Sequence, residues 1–193
     1  MKNPTPYYKS FLQAMLTFLR VRITPLSLTL ALSVITTGSL SIAEPGRSTN
    51  ISLTTTGKIL INVNTETNSV TVFGVKSNGD TLEKIAEIPV GKEPHSVAVL
   101  RNNEAYVTNS ASSTVSVIGL KGKGENKVIA EIPVGTEPRG CALTPSGNKL
   151  YVANHTAGTV SVIDTSTRTV IDTIEVGGNP AAIAITDDGD KTD

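Results

Sequence analysis

His95 and Arg139 each follow the proline of a Val-Gly-x-Glu-Pro pentapeptide, Val90 to Pro94 and Val134 to Pro138, and among the residues of this chain they are best placed to do chemistry. An imidazole there can act as a base or a metal ligand, and a guanidinium can hold a carboxylate or phosphate. Lys92, Glu93 and Glu137 belong to the same pentapeptides, and a third copy, Val176-Gly177-Gly178-Asn179-Pro180, is followed by Ala181. A polar residue opening an inner strand beside a wet channel needs no ligand, so the plainer role of a solvated strand end stands beside the functional one. His155 follows Asn154 where earlier segments carry Thr65 and Ser110, and nothing in the sequence marks it as special. Two histidines cannot assemble a His-rich metal cage. Cys141 is the single cysteine, which rules out an internal disulfide, a Cys-x-x-Cys-His haem attachment and a thiolate cluster. Between Gly140 and Ala142 it reads as a small buried apolar residue. Asp187, Asp188 and Asp190 surround Gly189 and could offer oxygen ligands to Ca²⁺. The matching turn, Thr144-Pro145-Ser146-Gly147-Asn148-Lys149, is a plain hairpin, so the acidic run reads first as a hairpin and only second as a calcium site. With no Gly-rich phosphate loop, nucleophile elbow or Ser/His/Asp order, no catalytic residue and no cofactor is assigned.

The elements that must position these groups come from a repeat. Asn64, Asn109 and Asn154 are spaced by 45 residues, and Val70-Thr71-Val72, Val115-Ser116-Val117 and Val160-Ser161-Val162 keep the same offset. Ile88-Pro89-Val90-Gly91 recurs at Ile132 and, as Ile174-Glu175-Val176-Gly177, at Ile174. A period near 45 carrying strand signals alone is the mark of a β-propeller blade, and helices are not suggested. Strand a is expected at 51–56, 95–100, 139–144 and 181–186, ending at Thr56-Gly57, Asn102-Asn103, Ser146-Gly147 and Asp188-Gly189, residues that tolerate positive φ. Strand b is expected at 59–64, 104–109 and 149–154, its final Asn bonding the backbone two residues on to start the next turn. Strand c falls at 69–73, 114–119 and 159–164, and strand d at 82–88, 126–132 and 168–174. In such a path the d-to-a crossovers and b-to-c turns emerge on one face, at the channel mouth, which makes His95 and Arg139 candidate binding residues there.

Tyr151-Val152-Ala153-Asn154, Thr159-Val160-Ser161-Val162-Ile163-Asp164 and the Val-Gly-x-x-Pro crossover resemble the YVTN-type β-propeller repeats of exported and cell-surface proteins. The resemblance covers residues 51–193, with Ile61-Asn62-Val63-Asn64 replacing the Tyr-led tetrad in the first repeat. It implies an all-β fold of four-stranded antiparallel blades, and it says little of activity, since such repeats occur in surface-layer proteins, lactonase-like propellers and redox-associated propellers. Asp164 matches the family's Ile-Asp signature and is expected to bond the backbone of its own turn. The chain supplies three blades and strand a of a fourth. Propellers close with four to eight blades, so the sequence is expected to be part of a longer, typically seven-bladed, protein.

Lys2, Lys9, Arg20 and Arg22 precede an uncharged run from Ile23 to Ala43, with small residues at Ser41 and Ala43. This reads as a signal peptide over 1–43 followed by a linker over 44–50, and otherwise as a retained anchor, the only expected contact with a membrane. A start at Met15 would give the positive region its ordinary length. Without residues 1–43 the chain keeps 13 basic and 17 acidic residues, a net charge of −4, which argues against a nucleic-acid partner. Asn50-Ile51-Ser52 and Asn154-His155-Thr156 have the form of glycosylation acceptors. The sequence thus points to an exported binding or interaction scaffold at the cell envelope, more a binding module than an enzyme, that takes a protein or small-molecule ligand at the mouth. The alternative is part of a lactonase-like hydrolase or a redox-associated propeller whose decisive residues lie in blades beyond this sequence.

Overall fold

The computed structural model describes residues 50–76 and 81–186. The leader, the start at Met15 and the candidate calcium ligands Asp187, Asp188 and Asp190 lie outside them. Contacts divide the chain into two units, residues 1–42 with 76–82 and residues 43–75 with 83–193. Of the first only Lys76, Thr81 and Leu82 are described, with the Lys76 N–H donating to the Thr81 carbonyl at 3.0 Å.

The β-rich patterning folds into three four-stranded antiparallel sheets, each in simple sequence order. Blade 1 holds β1 (Ile51–Leu53), β2 (Ile59–Asn64), β3 (Ser69–Val75) and β4 (Leu82–Pro89). Blade 2 holds β5 (Pro94–Leu100), β6 (Glu104–Asn109), β7 (Thr114–Gly119) and β8 (Lys127–Pro133). Blade 3 holds β9 (Pro138–Leu143), β10 (Lys149–Asn154), β11 (Thr159–Asp164) and β12 (Thr169–Glu175). Pro94 and Pro138 open their strands, where a missing N–H costs no ladder bond. Three details of the elements depart from expectation. β1 ends at Leu53, three residues short of the expected strand over 51–56. A single 3₁₀ turn, Gly122–Gly124, sits between β7 and β8. The segment 181–186, expected as a strand, forms no ladder among the described residues and carries one bridging residue, Ala184.

Period-two alternation sends each strand's apolar residues to both neighbours. On blade 2, Val97, Ala105, Val107 and Ile118 join Ile61, Val63, Val70, Val72 and Ile88 of blade 1. The opposite face, with Ala98, Tyr106, Val115, Val117 and Ile132, joins Cys141, Leu143, Leu150, Val152 and Ile163 of blade 3. Each Val, Leu or Ile among them contributes about 1.5–3 kcal/mol on burial. Tyr106 is fully buried, and its hydroxyl donates to Glu104 at 2.9 Å while Arg168 of blade 3 donates to the same carboxylate at 2.6 Å. On the far face of blade 3, Tyr151, Val160, Ile174 and Val176 meet Ile183 to Thr186 around a cleft of about 390 Å³.

The repeated asparagine does not bond the backbone as expected. Its amide donates to two hydroxyls across the turn: Asn64 to Ser69 and Thr71, Asn109 to Thr114 and Ser116, Asn154 to Thr159 and Ser161, all at 2.8–3.1 Å. The hydroxyl partners stand directly opposite or two residues further along the paired strand, so the nearer acceptors win. The crossover glycine then packs on this side chain. A methyl group added at Gly91 would sit 2.6 Å from Asn109 Cγ, and one at Gly135 2.6 Å from Asn154 Cγ. Neither glycine has positive φ, so the sequence needs Gly there for space. At the turns, positive φ falls as expected on Gly57 and Gly147, but on Arg101 instead of Asn102-Asn103. Asp164 accepts from the N–H groups of Ser166 and Thr167 at 2.8 and 2.9 Å, as its place after strand c implies.

Two outcomes follow from this packing. Gly135→Ala should destabilise the fold by about 1–3 kcal/mol, and adding Asn154→Ala should return part of that loss, because the smaller side chain admits the methyl; urea unfolding of the four-member cycle reads the coupling. Burial pushes the Cys141 thiol up to about 12, so a thiol reagent should leave native protein unmodified at neutral pH and label it stoichiometrically in denaturant; rapid native labelling would contradict the packing between blades 2 and 3.

Candidate functional site

The b-to-c turns and d-to-a crossovers meet at one end of the sheets through backbone bonds. Ser110 and Ala111 N–H donate to the carbonyls of Glu93 and Lys92 at 2.9 and 3.2 Å, and His155 and Ala157 donate to Glu137 and Thr136 at 2.9 and 3.4 Å. Hydroxyls add a latch between blades. Thr65 Oγ1 donates to the Pro94 carbonyl at 2.8 Å, and Ser110 Oγ to the Pro138 carbonyl at 2.7 Å. Glu93 and Glu137 both hold left-handed backbone, with φ of 52° and 58°, a conformation uncommon for non-glycine residues.

On blade 3 this frame gathers four side chains. Glu137 Oε1 accepts from Arg139 Nε at 3.0 Å and Nη2 at 2.6 Å. Its Oε2 accepts from the Thr156 hydroxyl and lies 3.4 Å from His155 Nδ1, close enough for an ion pair but not aligned for a hydrogen bond. The Thr156 hydroxyl, and next the Arg139 bond, hold the Glu137 carboxyl at about 2. About a third of the Arg139 and Glu137 side-chain surface is exposed, so solvent screens their pairing. Arg139 is also fixed from behind, because Thr108 Oγ1 donates to its carbonyl at 2.6 Å. His95 is exposed on β5. Desolvation by its surroundings and then the positive charge of Arg139 lower its pKa, with His155 acting the same way and Glu137 opposing.

The structure therefore brings together Arg139 and Glu137 and places His95 within electrostatic reach of both. Lys92, Glu93 and Ala181 are exposed. Sequence reasoning passed over His155, which lies against Glu137; the signal was its replacement of the latch hydroxyl supplied by Thr65 and Ser110. Among the described residues no group of three or more His, Cys, Asp or Glu could hold a metal ion. Of the two glycosylation triplets, Asn50 is exposed, whereas Asn154 is fully buried and its amide is engaged. Among the described residues no helix is long and apolar enough to cross a membrane.

No protein-family model matches the chain, and no curated protein does. Solved structures match it well. It is similar to hydrazine synthase of Kuenenia stuttgartiensis, at 26% identity and a TM-score of 0.61 over 74% of this chain and 40% of that one. It is similar to a putative 6-phosphogluconolactonase of Bacteroides uniformis, at 18% identity and a TM-score of 0.60 over 75% and 46%. The periplasmic gluconolactonase PpgL of Pseudomonas aeruginosa matches at 19% identity and a TM-score of 0.57 over 71% and 42%. The chain spans less than half the length of each. With the three sheets, these likenesses show the β-propeller fold.

The depressed Glu137 carboxyl has a pH consequence. Its charged form is favoured in the folded state, so its stabilisation is present above the ordinary value of 4.5 and lost as pH falls from there towards about 2. Thermal unfolding followed by circular dichroism from about pH 6 to about pH 2.5 should show a shallower acid decline for Glu137→Gln than for the native chain. Parallel curves would refute the pairing with Thr156 and Arg139.

Proposed function

We propose that this protein is an exported binding or interaction module that takes its ligand or partner at the crossover end of blades 2 and 3, with His95 and Arg139 as contact residues. One observation carries the reading: four side chains able to form directed polar contacts, His95, Glu137, Arg139 and His155, converge there from three separate segments held by backbone bonds. Export is supported by the basic region and uncharged run over residues 1–43, and by the likeness to a periplasmic gluconolactonase.

A second reading, part of a lactonase-like hydrolase, draws on the Glu137–His155 pair. A carboxylate beside an imidazole nitrogen can orient a general base, and two neighbours are described as gluconolactonases or putative 6-phosphogluconolactonases. The two readings separate in one set of measurements. Thermal shift of the purified chain against sugar acids, neutral sugars, nucleotides and short peptides should find at least one compound that stabilises the native protein and not the His95→Ala/Arg139→Ala double variant. No stabilisation by any compound, together with His155-dependent turnover of a gluconolactone, would replace the binding module with the hydrolase.

A further inference from the structure

Blades 2 and 3 present the same backbone at the crossover end with different side chains on it. Glu93 and Glu137 share left-handed φ, and each carbonyl accepts from the N–H of the residue after the strand-b asparagine. Around Glu93 the equivalent positions hold His95, Ser110 and Ala111; around Glu137 they hold Arg139, His155 and Thr156. The outcome differs accordingly. Glu93 is exposed, whereas the Glu137 carboxylate is bonded on one oxygen by the edge of the Arg139 guanidinium and on the other by Thr156, with His155 Nδ1 at 3.4 Å. Blade 3 has thus built a receptor for one carboxylate and filled it with its own side chain. The Nε–Nη2 edge of an arginine together with a hydroxyl matches the planar fork of a carboxylate.

Resting on the binding-module reading above, we propose that this end of blades 2 and 3 is a proton-gated site for a small carboxylate ligand, in which Arg139, Thr156, His155 and His95 form the receiving wall and Glu137 is a built-in competitor that the ligand displaces. Displacement is open to it because Arg139 and Glu137 are both about one third exposed, so solvent and solutes reach the pair. The backbone does not have to move, since its bonds to His155 and Ala157 run through carbonyls and not through the carboxylate. The gate comes from His95, since histidine is the side chain whose charge changes most readily near neutral pH. At neutral pH Arg139 is balanced by Glu137, and the lowered pKa of His95 keeps that ring uncharged. On acidification the wall becomes net positive. The charges that act on His95 are those of Arg139, Glu137 and His155, while Lys92 and Glu93 on its own crossover and Glu66 in the blade 1 turn are exposed.

The chain has only two histidines and both belong to this site, so imidazole resonances report on it without interference. Acetate and succinate titrated into the isotope-labelled full chain should shift both His95 and His155 saturably, with affinity about tenfold higher near pH 5.5 than near pH 8. Glu137→Gln should tighten binding at both pH values, Arg139→Gln should abolish it, and His95→Gln should keep the weak binding and lose the gain on acidification. Unchanged sheet signal in circular dichroism qualifies each variant. Shifts that do not saturate, equal response to glucose or to inorganic phosphate, or weaker binding by Glu137→Gln would overturn the proposal. If carboxylates fail while another compound stabilises the native chain and not the His95→Ala/Arg139→Ala variant, the carboxylate site falls and the binding module stands.

Discussion

The contact on which the rest depends is that of the strand-b asparagine with the crossover glycine behind it. The asparagine amide joins strand b to strand c by two hydroxyl bonds, and its side chain leaves no room for a Cβ on the crossover. One residue thus sets the register within a blade and the approach of the chain that enters it. This arrangement carries a cost. The Oδ1 atoms of Asn109 and Asn154 are buried without a donor, a loss of about 1–3 kcal/mol for each such group. An apolar residue would avoid that loss and would also free the turn to slip by a residue, which inverts every side chain of a strand. Uniqueness of register is what the amide contributes beyond its energy.

Fixing the crossover by backbone and amide contacts releases the side chains that point outwards. Thr65 and Ser110 spend their hydroxyls as latches on the next proline carbonyl. His155 occupies the third such place and faces Glu137 instead. The polar cluster at Tyr106, Glu104 and Arg168 lies at the other end of β6 and is of a different kind, since its hydroxyl is buried between blades and burial raises its pKa. That group locks two sheets together, while the cluster at Glu137 is partly open to water.

Nearly all of the fold was legible in the sequence, and only part of the site. A repeat of 45 residues announces four strands, and alternation of Val with Ser or Thr tells which residues face a neighbouring sheet, because a strand has only two faces. Most strand ends differ by a residue or two, as at Pro94 and Pro138, which begin their strands rather than precede them, but β1 stops three residues early and 181–186 forms no strand. The asparagine's partners are not legible along the chain, because the hydroxyls of the opposing strand become its neighbours only after pairing. His155 was passed over for a related reason. Its significance lies in a carboxylate 18 positions away, brought close by the crossover and not by any pattern along the chain.

Because the crossover backbone is held by groups common to every repeat, the positions after its proline and after the asparagine can change without refolding the sheet. Blade 2 carries His95 with Ser110, and blade 3 carries Arg139 with His155, on closely matching turns. A substitution there alters charge and hydrogen bonding at the crossover end and leaves the aliphatic contacts between sheets untouched, since those are made by residues deeper in the strands. Function and stability are therefore separable in this architecture at the level of single residues. The same separation lets a chain share its fold with hydrazine synthase and with gluconolactonases at identities of 26% and below.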